Sequence, residues 1–382
     1  MAVYLDHNAS TPLDERVFEA MLPFLKADYG NASSVHQRGR IARHGVEAAR
    51  EEVAELVNVH PSQVVFTSGG TEANNQALNV MRSRAVGGRF VVSAQEHASV
   101  LDVAKRLVGE GFQLDQSNVD SQGLVVKEHF VELMAAKPVL ASIMMANNET
   151  GALQSIADLS LVARDAGVIF HTDAVQALGK VVVDFAATGA HLMSLSAHKL
   201  YGPKGAGALI VEPGFDLAPL LVGGGQEKGR RSGTENVAAI VGFGMAARLA
   251  QQELYARAEN VQMLRDYLEQ RLQVLPDISV FAQAVERLPN TVFMAVPGID
   301  GETLLMELDR AGLEVSSGSA CDSEKTGASH VLLAMGVDPE LARCAIRISF
   351  GKDNCMADVD ALIEALQQQI NTLRSMSSLA WA

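Results

Sequence analysis

Residues 192–207 read LMSLSAHKLYGPKGAG, and the change from apolar to polar inside this stretch decides how the chain folds. Leu192 to Leu195 is an apolar run that stops at Ser196, and Ala197, His198 and Lys199 follow. A short apolar run closed by polar residues and glycine reads as a buried strand. A lysine just past such a strand loses solvation, which lowers its pKa and makes its amine a nucleophile. One strand earlier, Val168 to Gln176 reads VIFHTDAVQ, a second apolar run ending in an acid, Asp173. Taken alone, Lys199 is more often a surface loop lysine, so its weight depends on what else converges on it.

Working outward, Val64 to Asn75 reads VVFTSGGTEANN. A β-branched strand gives way to Ser68-Gly69-Gly70-Thr71 and then to a helical pattern. Glycines let the backbone approach closely and the first helix amides carry partial positive charge, which builds an anion cup. The motif is neither a Walker A loop nor G-x-G-x-x-G, and a plain tight turn would look the same. Arg89 to Ala94 is a further strand, followed by Gln95-Glu96-His97; an imidazole there can stack on a ring and move protons near neutral pH. Val139 to Met145 ends in Asn147-Asn148-Glu149-Thr150-Gly151, where Asn148 is either a hydrogen-bond donor to a ligand or an ordinary turn residue. Leu159 to Ala166 returns as helix, and Gln176 lies three residues beyond Asp173.

Strand and helix alternate at βα spacing from Val64 to Val211, which predicts a mostly parallel sheet with helices on both faces. Ligands of such α/β sheets sit outside the carboxyl ends of the strands. Thr71, His97, Asn148, Asp173 and Lys199 all fall at those ends. A lysine to hold an aldehyde as a Schiff base, an acid for a ring nitrogen, an imidazole to stack and a phosphate cup together point to pyridoxal 5'-phosphate.

The flanks are less specific. The 382 residues, 48% of them hydrophobic, suffice for a sizeable core and two domains. A net charge of -14 argues against nucleic acid or an anionic membrane surface as the main partner. No apolar run reaches the ~20 residues of a bilayer span, and MAVYLDHNAS lacks a signal peptide's basic start, so a soluble cytoplasmic protein is expected. Leu13 to Ala27, Ile41 to Val57 and Val237 to Val274 read as helices, the last long enough to bridge a large and a small domain. Ile278 to Phe281, Thr291 to Val296 and Ala345 to Phe350 read as short strands. Val359, Leu362, Ile363, Leu366, Ile370 and Leu373 form one apolar stripe, read as core. Gly223 to Glu235, GGGQEKGRRSGTE, is glycine-rich and basic, the pattern of a flexible loop.

Three cysteines, none in C-x-x-C, exclude a disulfide framework, and no histidine has metal-ligand spacing, so no metal is expected. Cys344 lies beside Ala345 and Ile346 and reads as core, whereas Cys355 follows Asn354 and reads as a helix-start residue. Cys321 closes SSGSAC (Ser316–Cys321) among small residues, the setting of an accessible thiol. Arg347, inside AIRISF, needs an anionic partner if buried: a substrate carboxylate, or an Asp or Glu of the chain.

These motifs, with YLDHNASTP (Tyr4–Pro12), RRSGTEN (Arg230–Asn236) and IRISFG (Ile346–Gly351), resemble the NifS/IscS-type cysteine desulfurases, fold type I enzymes of the class V aminotransferase group. The resemblance covers essentially the whole chain. It implies an α/β fold: a large domain over 13–255 with a mostly parallel seven-stranded sheet flanked by helices, and a small α+β domain from 1–12 and 256–382. It implies that Lys199 anchors pyridoxal phosphate, Asp173 pairs with the ring nitrogen, Gln176 bonds the ring hydroxyl and His97 stacks on the ring. Gly70, Thr71, Ser196 and His198 would hold the phosphate, and Thr234 would reach the phosphate of a second protomer, so a homodimer is implied. Asn148 would lie near ring and substrate, and Arg347 would take the carboxylate of L-cysteine. Cys321 would accept its sulfur as a persulfide for a sulfur-acceptor protein, in iron–sulfur assembly or thiolation, and alanine would leave. Lys325 or His97 would favour the Cys321 thiolate.

The chain departs from that pattern in places. Ala197 stands where glycine is usual, and Ala32 where proline is. Asp322 follows Cys321 where threonine is commoner, and a neighbouring carboxylate raises a thiol's pKa. The sequence ends at Ala382, soon after Trp381, which leaves the acceptor open. A selenocysteine lyase or another class V aminotransferase-type enzyme is the alternative, and a sulfur-relay partner that keeps the cofactor only structurally is the non-enzyme one.

Overall fold

The computed structural model describes residues 2–317 and 327–380, without the side chains of 376–380. Strand β1 (Val3–Tyr4) opens the chain. Seven strands follow: β2 (Val64–Thr67), β3 (Arg89–Ser93), β4 (Gln113–Ser117), β5 (Leu140–Ser142), β6 (Ile169–Asp173), β7 (Leu192–Ser196) and β8 (Gly207–Val211). They form one sheet in the order β2-β8-β7-β6-β5-β3-β4. Only β8 runs against the others, pairing antiparallel with both β2 and β7. The mostly parallel α/β sheet read from the βα alternation is present.

Consecutive residues of these strands face opposite sides of the sheet. Phe66, Val91, Phe170, Met193 and Ile210 enter a core shared with the start of the long helix Val237–Leu272. Val65, Phe90, Val92 and Leu209 enter a second core with the helices Gly70–Leu78 and Ala98–Gly109. Burial on both faces explains why the strands read as unbroken apolar runs rather than as alternations.

Beyond the long helix come β9 (Ser279–Val280), β10 (Thr291–Ala295), β11 (Leu313–Glu314), β12 (Ser316–Ser317) and β13 (Ala345–Ser349). Four of them make an antiparallel sheet ordered β12-β13-β10-β9, and β1 pairs in parallel with β11. Val292, Met294, Ile346 and Ile348 pack there against Leu264, Leu268 and Leu272 of the long helix and against Val359, Leu362 and Leu366 of the helix Met356–Ala380. The C-terminal apolar stripe is therefore core. The long helix has 36 residues, about 54 Å, and joins both cores: Phe243 and Ala247 lie in the first, Leu264 and Leu268 in the other.

Two readings shift. The helix read over Ile41 to Val57 begins earlier, at Gln37, with His36 capping it by accepting from the amide of Gly39. Helix starts are set by caps as well as by apolar period, and a histidine cap is easily passed over. Arg347 is buried, and its partner in the chain is Asp6, at 2.6 Å.

Candidate active site

The carboxyl ends of β2, β3, β5, β6 and β7 lie along one edge of the large sheet, and each is succeeded by one of the candidate residues of the sequence. After β2 the chain turns at Gly69, whose φ of +156° favours glycine, into the helix Gly70–Leu78. A Cβ on Gly70 would stand 2.8 Å from Val175 Cγ2 and 3.5 Å from the Ser196 Cβ, so the turn lies against β6 and β7. Ser196 Oγ is buried and has no hydrogen-bond partner among the described residues. A buried hydroxyl left over beside free helix amides fits an acceptor-rich anion such as a phosphate. His198 stands nearby with Nδ1 3.3 Å from Ser10 Oγ, and burial, with Lys199 and Lys204, pushes its pKa down to about 4. Glu72 accepts from Ser68 N and from Arg231 Nε (2.8 Å), which ties the glycine-rich loop to the cup.

Asp173 ends β6 with both oxygens engaged. Oδ1 accepts from Val175 N (2.9 Å) and Oδ2 from Asn74 Nδ2 (2.6 Å). The other N–H of Asn74 goes to Ser99 Oγ (2.8 Å), which in turn lies 2.8 Å from His97 Nδ1. Ser99 N also donates to that nitrogen, so His97 caps the helix Ala98–Gly109. Burial lowers the pKa of His97; Asp173 opposes the shift, and Lys199 and His330 add to it.

Lys199 Nζ donates to the backbone carbonyls of Asn8 and Ala9, the latter at 2.8 Å. Gln176 Nε2 donates to the same Asn8 carbonyl (2.9 Å), and its Oε1 accepts from Lys180 Nζ (2.8 Å). Lys180 also donates to Asn8 Oδ1 (2.7 Å). Desolvation, with Lys199 and Arg347 nearby, holds Lys180 far below the usual lysine range. Lys180 and Lys199 line one cavity of about 30 Å³ with His7 and Tyr201, room for a water.

The antiparallel sheet closes the site from the other side. Arg347 Nη1 donates to the backbone carbonyl of Asn148 (3.1 Å), and Nη2 to Asp6 (2.6 Å). Its Nε is buried without a partner among the described residues, a donor still free for a carboxylate. Glu149 is buried, its pKa raised by that burial, and accepts from Ser329 Oγ. Ser329 and His330 come shortly after the undescribed residues, and His330 Nε2 lies 3.1 Å from the Glu96 carbonyl. Cys321, with Asp322 and Lys325, lies outside the described residues. Thr234 is exposed in the glycine-rich loop, and no hydrogen bond joins it to the network around Asp173 and Lys199 among the described residues. Among the described residues there is no cluster able to hold a metal and no helix long and apolar enough to cross a membrane.

Sequence reasoning missed Asn8, Asn74, Ser99 and Lys180. Asn74 stands one helical turn beyond Gly70, and Lys180 lies four residues beyond Gln176 in a turn that brings its amine to Gln176 Oε1. Nothing local distinguishes Asn8, whose carbonyl serves residues more than 160 positions away.

Comparison with known proteins agrees with this architecture. The cysteine desulfurase IscS of Dictyoglomus turgidum is 40% identical over 378 residues, 98% of this chain and 96% of that protein. The X-ray structure of a NifS-like protein from Rickettsia africae ESF-5 superposes with a TM-score of 0.89 at 35% identity, covering 97% of this chain and all of that one. The structure of SspA in complex with cysteine superposes at 0.82 with 31% identity, over 92% of this chain and 99% of that one. The description "Aminotransferase class-V" matches residues 3–362, and with a mostly parallel sheet whose strand ends gather Lys199, Asp173 and His97, the chain belongs to the class-V aminotransferase family.

Proposed function

We propose that the protein is a pyridoxal phosphate-dependent cysteine desulfurase that converts L-cysteine to L-alanine and leaves the sulfur on Cys321. The observation that carries the reading is the convergence of Lys199, Asp173 and His97 beside a cup with an orphaned hydroxyl, Ser196 Oγ. The relative named IscS and the SspA complex with cysteine support the substrate. Pyridoxal phosphate, when bound, supplies an aldehyde that captures amines and a ring that takes up negative charge from a substrate carbon.

The chain's own residues supply the rest. Gly70, Thr71, Ser196 and His198 would hold the phosphate, and Thr234 would reach that of a second copy. Asp173 would pair with the ring nitrogen and Gln176 with the ring hydroxyl. Asn148 lines the substrate side, and Arg347 holds the carboxylate of L-cysteine through the donors Asp6 leaves free. Lys199 would anchor the cofactor's aldehyde and, once freed, its amine would be the base for the substrate Cα proton. His97, neutral at pH 7, donates and recovers protons beside the ring. The Cys321 thiolate attacks the substrate sulfur: an S–S bond forms, the substrate C–S bond breaks, and its electron pair remains on the carbon fragment. That fragment takes up one proton at Cβ, recovers the Cα proton from Lys199 and leaves as alanine. Cys321 keeps the outer sulfur for transfer to an acceptor protein in iron–sulfur assembly or thiolation in the cytoplasm. The parts fall into a large domain, 13–255, and a small one, 1–12 with 256–382.

Mass spectrometry after treatment with L-cysteine tests this. The mass of one sulfur atom should appear on the peptide bearing Cys321 and on neither Cys344 nor Cys355. Cys321→Ala should bind the cofactor and exchange the substrate Cα proton with solvent, yet release almost no alanine. Lys199→Ala should lose both the yellow colour and the borohydride-reducible linkage. A Cys321→Ala protein that forms alanine at the parent rate would favour a lyase needing no protein thiol.

A further inference from the structure

Asn74 bonds Asp173 directly and reaches His97 through Ser99. It is 1% exposed and sits in the second turn of the helix that begins at Gly70. Both hydrogens of its Nδ2 are used, one on Asp173 Oδ2 (2.6 Å) and one on Ser99 Oγ (2.8 Å). The carboxylate fixes which end of the amide is nitrogen, because only an N–H can face it. Ser99 Oγ accepts from Asn74, so its own hydrogen is directed to His97 Nδ1, 2.8 Å away. Ser99 N–H points at the same nitrogen. Every donor in the chain Asp173–Asn74–Ser99–His97 is thus assigned, and the imidazole carries its hydrogen on Nε2.

We propose that Asn74 is a positioning residue that couples the ring-nitrogen acid to the proton-handling imidazole. Through one hydrogen bond it draws charge on Asp173 away from the ring nitrogen. Through the other it holds Ser99 as a donor and so keeps His97 in the Nε2–H form, ready to donate from that nitrogen. Protonating Nδ1 would set a hydrogen against the Ser99 amide and force the hydroxyl to turn. Its partly unsatisfied state is in keeping with a role other than packing: Asn74 Oδ1 is buried without a partner among the described residues. The groups that act electrostatically on His97 are Asp173, Lys199, His330 and Asp102, and neither Asn74 nor Ser99 carries charge, so substituting them leaves the local charge count unchanged.

The inference rests on the proposed cofactor chemistry only for its Asp173 arm, and two variants separate the arms. In cofactor-free protein, ¹⁵N NMR of labelled histidine reports the tautomer and titration of His97 directly. Asn74→Ala and Ser99→Ala should both raise the His97 midpoint, by about half a pH unit or more. In the cofactor-loaded protein, the pH midpoint of the visible band should move upward in Asn74→Ala, because Asp173 regains charge density toward the ring. It should stay in place in Ser99→Ala, which does not touch Asp173. An Asn74→Ala protein in which neither His97 nor the band moves overturns the proposal, as does a Ser99→Ala protein whose band moves as far as that of Asn74→Ala. Absence of any visible band in the parent protein would instead count against the cofactor reading, and the His97 arm would still decide this one.

Discussion

His171 sits two residues before Asp173 and is wholly buried, with Nδ1 2.8 Å from Ser142 Oγ on β5 and Nε2 2.9 Å from Ser194 Oγ on β7. It laces the three strands that carry Asn148, Asp173 and Lys199. Burial pushes its pKa down to about 3, against 6.5 in an unfolded chain. Between those values the unfolded chain binds a proton that the folded protein does not, so stability falls as pH drops through that window. From pH 7 to pH 5 the expected loss from this residue is about 2 kcal/mol. His7 and His198, both moved to about 4, act in the same direction. In urea unfolding, His171→Asn should be less stable than the parent at pH 7, but it should lose about 2 kcal/mol less on going to pH 5. Equal losses in the two proteins would mean that His171 is not held neutral in the fold.

At the scale of elements, the glycine-rich loop is held by a buried ion pair. Arg50, from the helix Gln37–Leu56, gives two 2.7 Å hydrogen bonds to Glu227, which also accepts from Phe66 N on β2. The two side chains are 8% and 3% exposed, and the guanidinium lies over the Phe66 ring at 4.7 Å. Glu227 and Lys228 have φ of 50° and 58°, a left-handed turn that this anchoring holds in place. The loop that leads to Thr234 is therefore fixed at its base, where composition alone suggested flexibility. Glu227→Ala strands a buried guanidinium and should cost about 3–5 kcal/mol in denaturant unfolding. Adding Arg50→Met should recover most of it, since an apolar pair of similar volume avoids the desolvation cost. A single variant within about 0.5 kcal/mol of the parent would show that the pair contributes little.

At the scale of the whole molecule, the same loop and the segment 32–33 line a cavity of about 150 Å³, with Arg43, Arg50 and Arg230 in its walls. Tyr29, Val35 and Val222 are 72%, 84% and 87% exposed, all in loops. Large apolar side chains this open suit a surface that a second copy covers. The proposed homodimer makes a definite demand: Thr234 of one copy must serve the site that holds Lys199 of the other. Sedimentation should give a dimer. Mixing inactive Lys199→Ala with inactive Thr234→Ala under subunit exchange should restore part of the cysteine-to-alanine activity, because one site in each hybrid keeps both residues. A fully active monomer would rule the arrangement out.

Much of the site was legible in the chain before folding. Buried parallel strands are short apolar runs, and in such sheets ligand chemistry gathers at the carboxyl ends, so Lys199, Asp173, His97, Thr71 and Asn148 could be found by reading the residues just past each run. The tight turn after β2 announced itself through two glycines: Gly69 takes a φ of +156°, and a Cβ on Gly70 would meet Val175. Cys321 was singled out by its small neighbours, and it lies outside the described residues. What the sequence could not supply was the partner of each group. Arg347 had two candidate anions until Asp6, 341 positions away, took one side of it. Asn74, Ser99, Lys180 and Asn8 carry no local pattern, because a hydrogen bond depends on positions and angles that exist only once the strands have stacked. The burial that lowers the pKa of His171 and of Lys180 likewise belongs to the packed sheet. Apolar periodicity is a property of neighbours in the chain; the protonation state and partner of a polar group are properties of its neighbours in space.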